Sequence, residues 1–161
     1  QGDRIILDIL SRFGAKVLIE NGNVTVSGDK LTATDIDASD IPDLIPPLAI
    51  VAAAAEGETK IYNAGRLRLK ESDRISAIAH NLSALGADVC TDKDSLTIRG
   101  GKPLSGGAVD GFNDHRIIMS AAIASQLCTS PLTISGFNAV RKSYPEFFSD
   151  MKALGGAFDV K

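Results

Sequence analysis

The chain has 161 residues, 44% of them hydrophobic, and a formal net charge of −3. That length and apolar content support a folded domain with a substantial core and exclude a disordered polymer. The acidic balance excludes a general nucleic-acid binder, since no face is basic enough to displace many phosphate counterions, and the longest apolar run, residues 48–55, is too short to span a membrane.

The first elements follow from apolar spacing. Ile5, Ile6, Ile9, Leu10 and Phe13 recur at helical intervals over residues 3–13, and Gly14 is placed to end that helix in a left-handed cap. Residues 16–20 and 24–27 predict a hairpin around Asn21-Gly22, a pair suited to a type I′ turn. Residues 31–37 alternate enough for a third strand. Ser39-Asp40-Ile41-Pro42-Asp43 carries capping and proline signals for a helix that is apolar nearly all round over residues 44–55 and is therefore expected to be buried on every side. Pro46 and Pro47 belong in its first turn, Gly57 stops it, and residues 59–62 predict a short strand.

The pattern then recurs. Residues 73–85 read as a helix closed by Gly86, 88–91 and 95–99 as a hairpin, 108–112 as a weak strand, 117–127 as a second almost wholly apolar helix and 132–135 as a strand. A third pass opens at Tyr144-Pro145 with a helix over 146–154, ended by Gly155-Gly156, and enters a strand over 157–160. Leu10-Ser11 and Phe13-Gly14-Ala15 find their counterparts in Leu82-Ser83 and Leu85-Gly86-Ala87, and Asp43 before one apolar helix matches Asp114 before the other. The unit is about 70 residues, helix, hairpin, strand, helix, strand. It predicts an α/β (α+β) repeat fold with mixed sheets, outer amphipathic helices and buried inner helices. The boundaries are a partial repeat over 1–65, a repeat over 66–140 and a partial repeat over 141–161. Cys90 and Cys128 stand in apolar contexts without metal-binding spacing and are expected to be buried free thiols.

Arg66, Arg68, Lys70 and Arg74 crowd four cations into one short segment, with Glu71 and Asp73 among them and a helical pattern beginning at Ile75. Strand or loop here enters a helix, with Ser72 as its N-cap. Such a cluster at a helix N-terminus suits an anionic ligand. The plainer alternative is a solvated charged loop. Pseudo-symmetric packing of the repeats would bring Asp43, residues 66–74, 114–116 and 141–144 to one end. In that case Arg74 has the alternative of merely pairing with Asp73 or Glu71, Asp43 and Asp114 of being helix caps, and Lys142 of being a free surface charge. His115 reads as structural, with orientation of Arg116 as its functional alternative.

Leu69-Lys70-Glu71-Ser72-Asp73-Arg74, Asn113-Asp114-His115-Arg116 with a hydrophobic helix after it, Ile41-Pro42-Asp43 and Lys142-Ser143-Tyr144-Pro145 agree in order and spacing with one family. Together they resemble the C-terminal part of 5-enolpyruvylshikimate-3-phosphate (EPSP) synthases. The related UDP-N-acetylglucosamine enolpyruvyl transferases share that fold but are not expected to carry both charged motifs, and a non-catalytic module binding an anionic metabolite is the other rival. The resemblance implies an enolpyruvyl transferase-like inside-out barrel domain. It also implies a cytoplasmic transferase of chorismate and aromatic amino acid biosynthesis, the class that glyphosate targets. The reaction joins the 5-hydroxyl of shikimate 3-phosphate to C2 of phosphoenolpyruvate, with loss of phosphate and without metal or organic cofactor. By motif position, Asp43 is the base near the hydroxyl and Glu71 the acid/base at the methylene carbon, with Lys142 sharing the proton work. Arg74, Arg116 and Lys142 are phosphoenolpyruvate ligands, and Lys70, like Asp43, contacts shikimate 3-phosphate. Arg66 stands where the family often has a polar group such as asparagine, so its contact departs from the pattern.

The chain opens at Gln1, and the resemblance covers only part of a two-domain enzyme. The expectation is an incomplete C-terminal domain lacking its N-terminal partner domain, inactive alone, with an apolar face left open or covered by self-association. The full-length enzyme is expected to be a monomer with no nucleic-acid or membrane partner.

Overall fold

The first helix starts as a 3-10 turn, Gly2–Ile5, and continues as α1, Ile6–Arg12, in this computed structural model, which describes residues 2–28 and 30–159. Gly14 follows at φ +93°, the left-handed conformation that ends the helix. Strands β1 (Lys16–Glu20) and β2 (Asn23–Ser27) pair antiparallel around Asn21 and Gly22, whose φ values of +51° and +78° are those of a type I′ turn. Both faces of this hairpin are largely exposed, Leu18, Ile19, Val24 and Val26 included.

The predicted third strand is shorter than expected. Only Ile36–Asp37 forms β3, with an isolated bridge from Thr32 to Glu56 before it. Helix α2, Ile45–Ala54, takes Pro46 and Pro47 in its first turn, where a missing N–H costs nothing. Its N-cap is Leu44 without a side-chain cap, so the Ser39-Asp40 signal starts a turn instead. Ile45, Leu48 and Ala49 are wholly buried, and each of the two larger side chains contributes roughly 1.5–3 kcal/mol by leaving water.

Strand β4 (Gly57–Tyr62) leads into a 3-10 turn, Gly65–Leu69, in place of the strand or loop expected there, and then into α3, Arg74–Ala84. The hairpin β5 (Asp88–Thr91) and β6 (Leu96–Gly100) joins β3 and β4 in a four-stranded sheet of order β3-β4-β6-β5, parallel between β3 and β4 and antiparallel elsewhere. The sheet therefore crosses from one repeat to the next. Strands β7 (Gly107–Asp110) and β8 (Leu132–Ser135) form the equivalent parallel pair around α4, His115–Ala124, which continues as the 3-10 turn Ser125–Leu127. A further 3-10 turn, Phe137–Lys142, packs on α4 and precedes α5, Phe147–Ala153.

Helices α2 and α4 lie side by side at the centre, as their apolar sequences require, and α3 packs its Ile75, Ile78 and Leu82 face against them. Unlike α2, α4 is not enclosed all round. Ile123 is 47% exposed, and with Pro47 and Met119 it lines a shallow apolar hollow between the two inner helices. Cys90 also departs from expectation. It is exposed on β5, where only the neighbouring Val89 is partly buried, while Cys128 is half-buried; both are free thiols. Residues 157–159 form no strand, and Val160 lies outside the described residues. Among the described residues no helix is long and apolar enough to cross a membrane, and no group of acids, histidines and cysteines is arranged to hold a metal.

Candidate active site

Three helix starts meet at one buried guanidinium. Arg74 is the first residue of α3, and its side chain is 0% exposed. Its Nε donates to Asp114 Oδ2 at 2.8 Å, its NH1 to Asp43 Oδ1 at 2.7 Å and its NH2 to Glu71 Oε2 at 2.7 Å. Asp43 precedes α2, Glu71 precedes α3, and Asp114 is the N-cap of α4. Carboxylates 28 to 71 positions apart in sequence are thus gathered by a single cation. A buried arginine is tolerated only because its planar fork is satisfied on several sides.

Asp114 is fully buried too. It accepts from the Arg116 backbone N–H at 2.9 Å, which caps α4, and from the Ser72 hydroxyl at 3.0 Å. Burial pushes its carboxyl up, but the hydrogen bonds and charge of Arg74, with the Arg116 amide and Ser72, outweigh that and hold it below the usual carboxylate range. Ser72 is therefore not the cap of α3. Asp73 takes that place, accepting from the Ser76 N–H at 3.1 Å.

Above this floor the cluster opens to solvent. Lys70 Nζ lies 3.1 Å from Asp43 Oδ1, and Arg116 donates to the Asp43 carbonyl at 3.0 Å while its NH2 stands 3.7 Å from Asp43 Oδ2. Desolvation raises the Asp43 carboxyl, and the hydrogen bonds from Arg74 and Lys70 with the charge of Arg116 bring it net below the usual range. Lys142, at the end of its 3-10 turn, donates to the Asn113 carbonyl and to Asn113 Oδ1, each at 3.0 Å, next to Asp114. Asp43, Lys70, Glu71, Arg74 and Arg116 thus form one connected set of contacts, and Lys142 adjoins it through Asn113.

Two of the four crowded cations face elsewhere. Arg68 ties the turn between β5 and β6, donating to the carbonyls of Lys93 at 2.8 Å and Asp92 at 2.7 Å and pairing with Asp73 at 2.7 Å. Arg66 donates to the Ser39 carbonyl at 3.2 Å, anchoring the approach to the Asp43 turn. His115 keeps its Nδ1 buried without a hydrogen-bond partner among the described residues. Asp114 is the helix cap that the sequence allowed it to be, and its repeat match to Asp43 signalled equivalent helix starts; its ion pair with Arg74 and the contact of Asn113 with Lys142 had no such signal.

As it stands the connected set balances: the carboxylates of Asp43, Glu71 and Asp114 face Lys70, Arg74 and Arg116. Three helix N-termini add their partial positive charge at the same place. The arrangement can exchange carboxylate partners with an anionic ligand and can present Glu71, whose side chain is 44% exposed, to a reacting group.

Known proteins share this chain over most of its length. A family model described as EPSP synthase (3-phosphoshikimate 1-carboxyvinyltransferase) matches residues 1–151. A 3-phosphoshikimate 1-carboxyvinyltransferase of Clostridium novyi is 46% identical over 159 residues, covering 99% of this chain and 37% of that protein. The enzyme of the same name from Clostridium perfringens is 50% identical over 159 residues, 97% of this chain and 37% of its own length. Among solved structures, an EPSP synthase from Acinetobacter baumannii superposes with a TM-score of 0.89 at 31% identity, over 97% of this chain and 40% of that one. The enolpyruvyl transferase NikO from Streptomyces tendae, at 23% identity and a TM-score of 0.79 over 96% of this chain and 35% of that one, shares the fold. The chain spans 37% of the length of the Clostridium novyi relative. Its sequence, its fold and the relatives it matches place it in the EPSP synthase family.

Proposed function

We propose that this chain is part of a 3-phosphoshikimate 1-carboxyvinyltransferase, transferring the enolpyruvyl group of phosphoenolpyruvate to the 5-hydroxyl of shikimate 3-phosphate. The observation that carries the reading is the convergence of Asp43, Glu71 and Asp114 on buried Arg74, with Lys70 and Arg116 gathered on Asp43. In this reading residues 1–65, 66–140 and 141–161 make up an incomplete C-terminal domain of a cytoplasmic, monomeric enzyme, and an N-terminal domain supplies the facing wall of the cleft. Charge balance supports a second wall. The two substrates bring two phosphates and two carboxylates, whereas the connected set here is already neutral, so the remaining cations must come from outside it.

The hydroxyl oxygen of shikimate 3-phosphate bonds to C2 of phosphoenolpyruvate while C3 takes a proton, giving a tetrahedral intermediate with a methyl group. Loss of phosphate from C2 and of one proton from that methyl then restores the double bond as an enol ether. Glu71, at the rim and within one hydrogen bond of Arg74, is the group that gives and retakes the C3 proton. Asp43 orients the nucleophile and, as the base, takes the hydroxyl proton as the O–C2 bond forms, returning it when phosphate departs. The hydrogen bonds and charge that hold its carboxyl below the usual range keep it ionised and so able to accept. Arg116 and Lys142 bind phosphoenolpyruvate, Arg74 joins them by exchanging a carboxylate partner at its Glu71 side for the ligand, Lys70 bridges toward shikimate 3-phosphate, and Lys142 assists proton movement. Glyphosate inhibition belongs to the same reading.

The test is phosphate release and calorimetric titration with both substrates, using the full-length gene product and its Glu71→Gln and Asp43→Asn variants. The full-length product is expected to bind and turn over, Glu71→Gln to bind without appreciable turnover, and the 161-residue chain to show no turnover. A full-length product that binds neither substrate refutes the reading, and turnover by the 161-residue chain alone refutes the need for a second domain.

A further inference from the structure

The loop that delivers Asp114 to Arg74 is held in an unusual backbone conformation. Phe112 and Asn113 take φ values of +49° and +53° in succession, in the left-handed region that a bulky residue rarely occupies. Asn21 and Asn63 also sit there, as asparagine often does in turns, but a phenylalanine needs an external cause.

Several contacts impose it. Asn81 of α3 clamps Asp110 in both directions, its Nδ2 donating to the Asp110 carbonyl at 2.8 Å and its Oδ1 accepting from the Asp110 N–H at 3.1 Å. The Asp110 carboxylate in turn accepts from the Phe112 N–H at 2.7 Å. The Phe112 ring meets His80 edge to face at 5.6 Å. Gly111 admits no side chain, because a Cβ there would strike Ile118 and the Ser135 carbonyl.

The outcome is that Asn113 turns its carbonyl and its side-chain oxygen to the same side. Both accept from Lys142 Nζ at 3.0 Å, across 29 residues of chain. An ammonium has three N–H donors. Two are held here by neutral oxygens, no carboxylate pairs with the ammonium among the described residues, and the third donor can serve an anion.

We infer that Asn113 is a positioning residue for Lys142, holding the ammonium at the start of α4 so that its third donor and its charge meet the phosphoenolpyruvate bound in the reading above. The left-handed turn is the device that makes this bidentate grip, and without the side-chain oxygen the lysine samples solvent. The inference rests on the proposed role of Lys142 for its consequence in binding, while the grip itself is testable apart from that role.

Two variants separate the grip from simple loop integrity. Asn113→Gly tolerates the left-handed backbone and keeps the carbonyl, removing the side-chain amide and with it Oδ1. Asn113→Asp keeps the acceptor and adds charge. In the 161-residue chain, acylation by a small amine-reactive ester is resolved by mass spectrometry at Lys142 and at exposed Lys152. Relative to Lys152, the Lys142 rate is expected to rise about fivefold in Asn113→Gly, the factor one modest hydrogen bond supplies, and to fall below wild type in Asn113→Asp. Rates that move together in the two variants, or not at all, overturn the inference.

In the full-length product, Asn113→Gly is expected to weaken phosphoenolpyruvate about fivefold with shikimate 3-phosphate unchanged. Equal weakening of both ligands, or of neither, overturns the part that concerns the ligand. If wild type binds no phosphoenolpyruvate, the enzymatic reading fails and the acylation result still decides the grip.

Discussion

Asp114→Ala removes the counterion of a cation that has no access to water. Both side chains of the Asp114–Arg74 pair are 0% exposed at a separation of 2.8 Å, and breaking such a pair on one side costs about 3–5 kcal/mol. The same substitution deletes the N-cap of α4, worth about 1 kcal/mol. Asp43 and Glu71 stay on Arg74 and soften the loss, so the expected destabilisation is about 4 kcal/mol. Urea unfolding of the 161-residue chain followed by far-UV circular dichroism measures it. The stranded cation, not the lost contact as such, is the stated cause. Asp114→Ala combined with Arg74→Met is therefore expected to be more stable than Asp114→Ala alone. Acid provides a second arm. The Asp114 carboxyl is depressed in the folded protein, so its contribution is present above the unfolded value of about 3.9 and is lost as pH falls through the folded one. The deficit of Asp114→Ala should accordingly shrink in strong acid. A deficit below about 1 kcal/mol at neutral pH, or a double variant no more stable than the single one, would falsify the account of Arg74 as a cation dependent on Asp114.

Gly100→Ala should prevent stable folding or cost more than about 3 kcal/mol, read as lost soluble yield or a lower urea midpoint, because a Cβ there meets the backbone carbonyls of Ala52, Ala53 and Ala55 at the end of α2. A variant of unchanged midpoint would mean that β6 and α2 are less closely packed than described. Arg68→Ala should cost about 1–2 kcal/mol and speed amide exchange at residues 92–95, since the guanidinium holds the carbonyls of Asp92 and Lys93; unchanged exchange there contradicts its structural assignment. Glu71→Gln should alter stability by less than about 1 kcal/mol, its side chain being 44% exposed. In the full-length product it should lower kcat by roughly 10²–10⁴, and a variant of near-normal kcat removes Glu71 from the proton steps.

The local elements were legible because their causes are local. The turn at Asn21-Gly22, the stop at Gly14 and the prolines in the first turn of α2 each depend on backbone preferences of one or two residues. The buried character of α2 followed from an apolar surface with no polar side to offer water. The structure departs from the sequence pattern where two neighbouring residues offer the same chemistry, as with Ser72 and Asp73 at the start of α3, or where alternation runs on past a parallel pairing only two residues long, as at β3.

The site divides along the same line. Sequence alone determined that Arg66, Arg68, Lys70, Arg74 and two acids share one segment, and the repeat matched Asp43 to Asp114. It did not determine which cation faces which anion. Arg66 and Arg68 turn to backbone carbonyls, while Arg74 turns inward to three carboxylates from separate helix starts. The same holds for Asn113, whose grip on Lys142 needs the unusual turn that Asn81, His80 and Ile118 impose from other elements. Composition and order set the inventory of charges, but their partners were chosen by packing, since a guanidinium enters a dry core only where tertiary contacts bring enough oxygens to meet it.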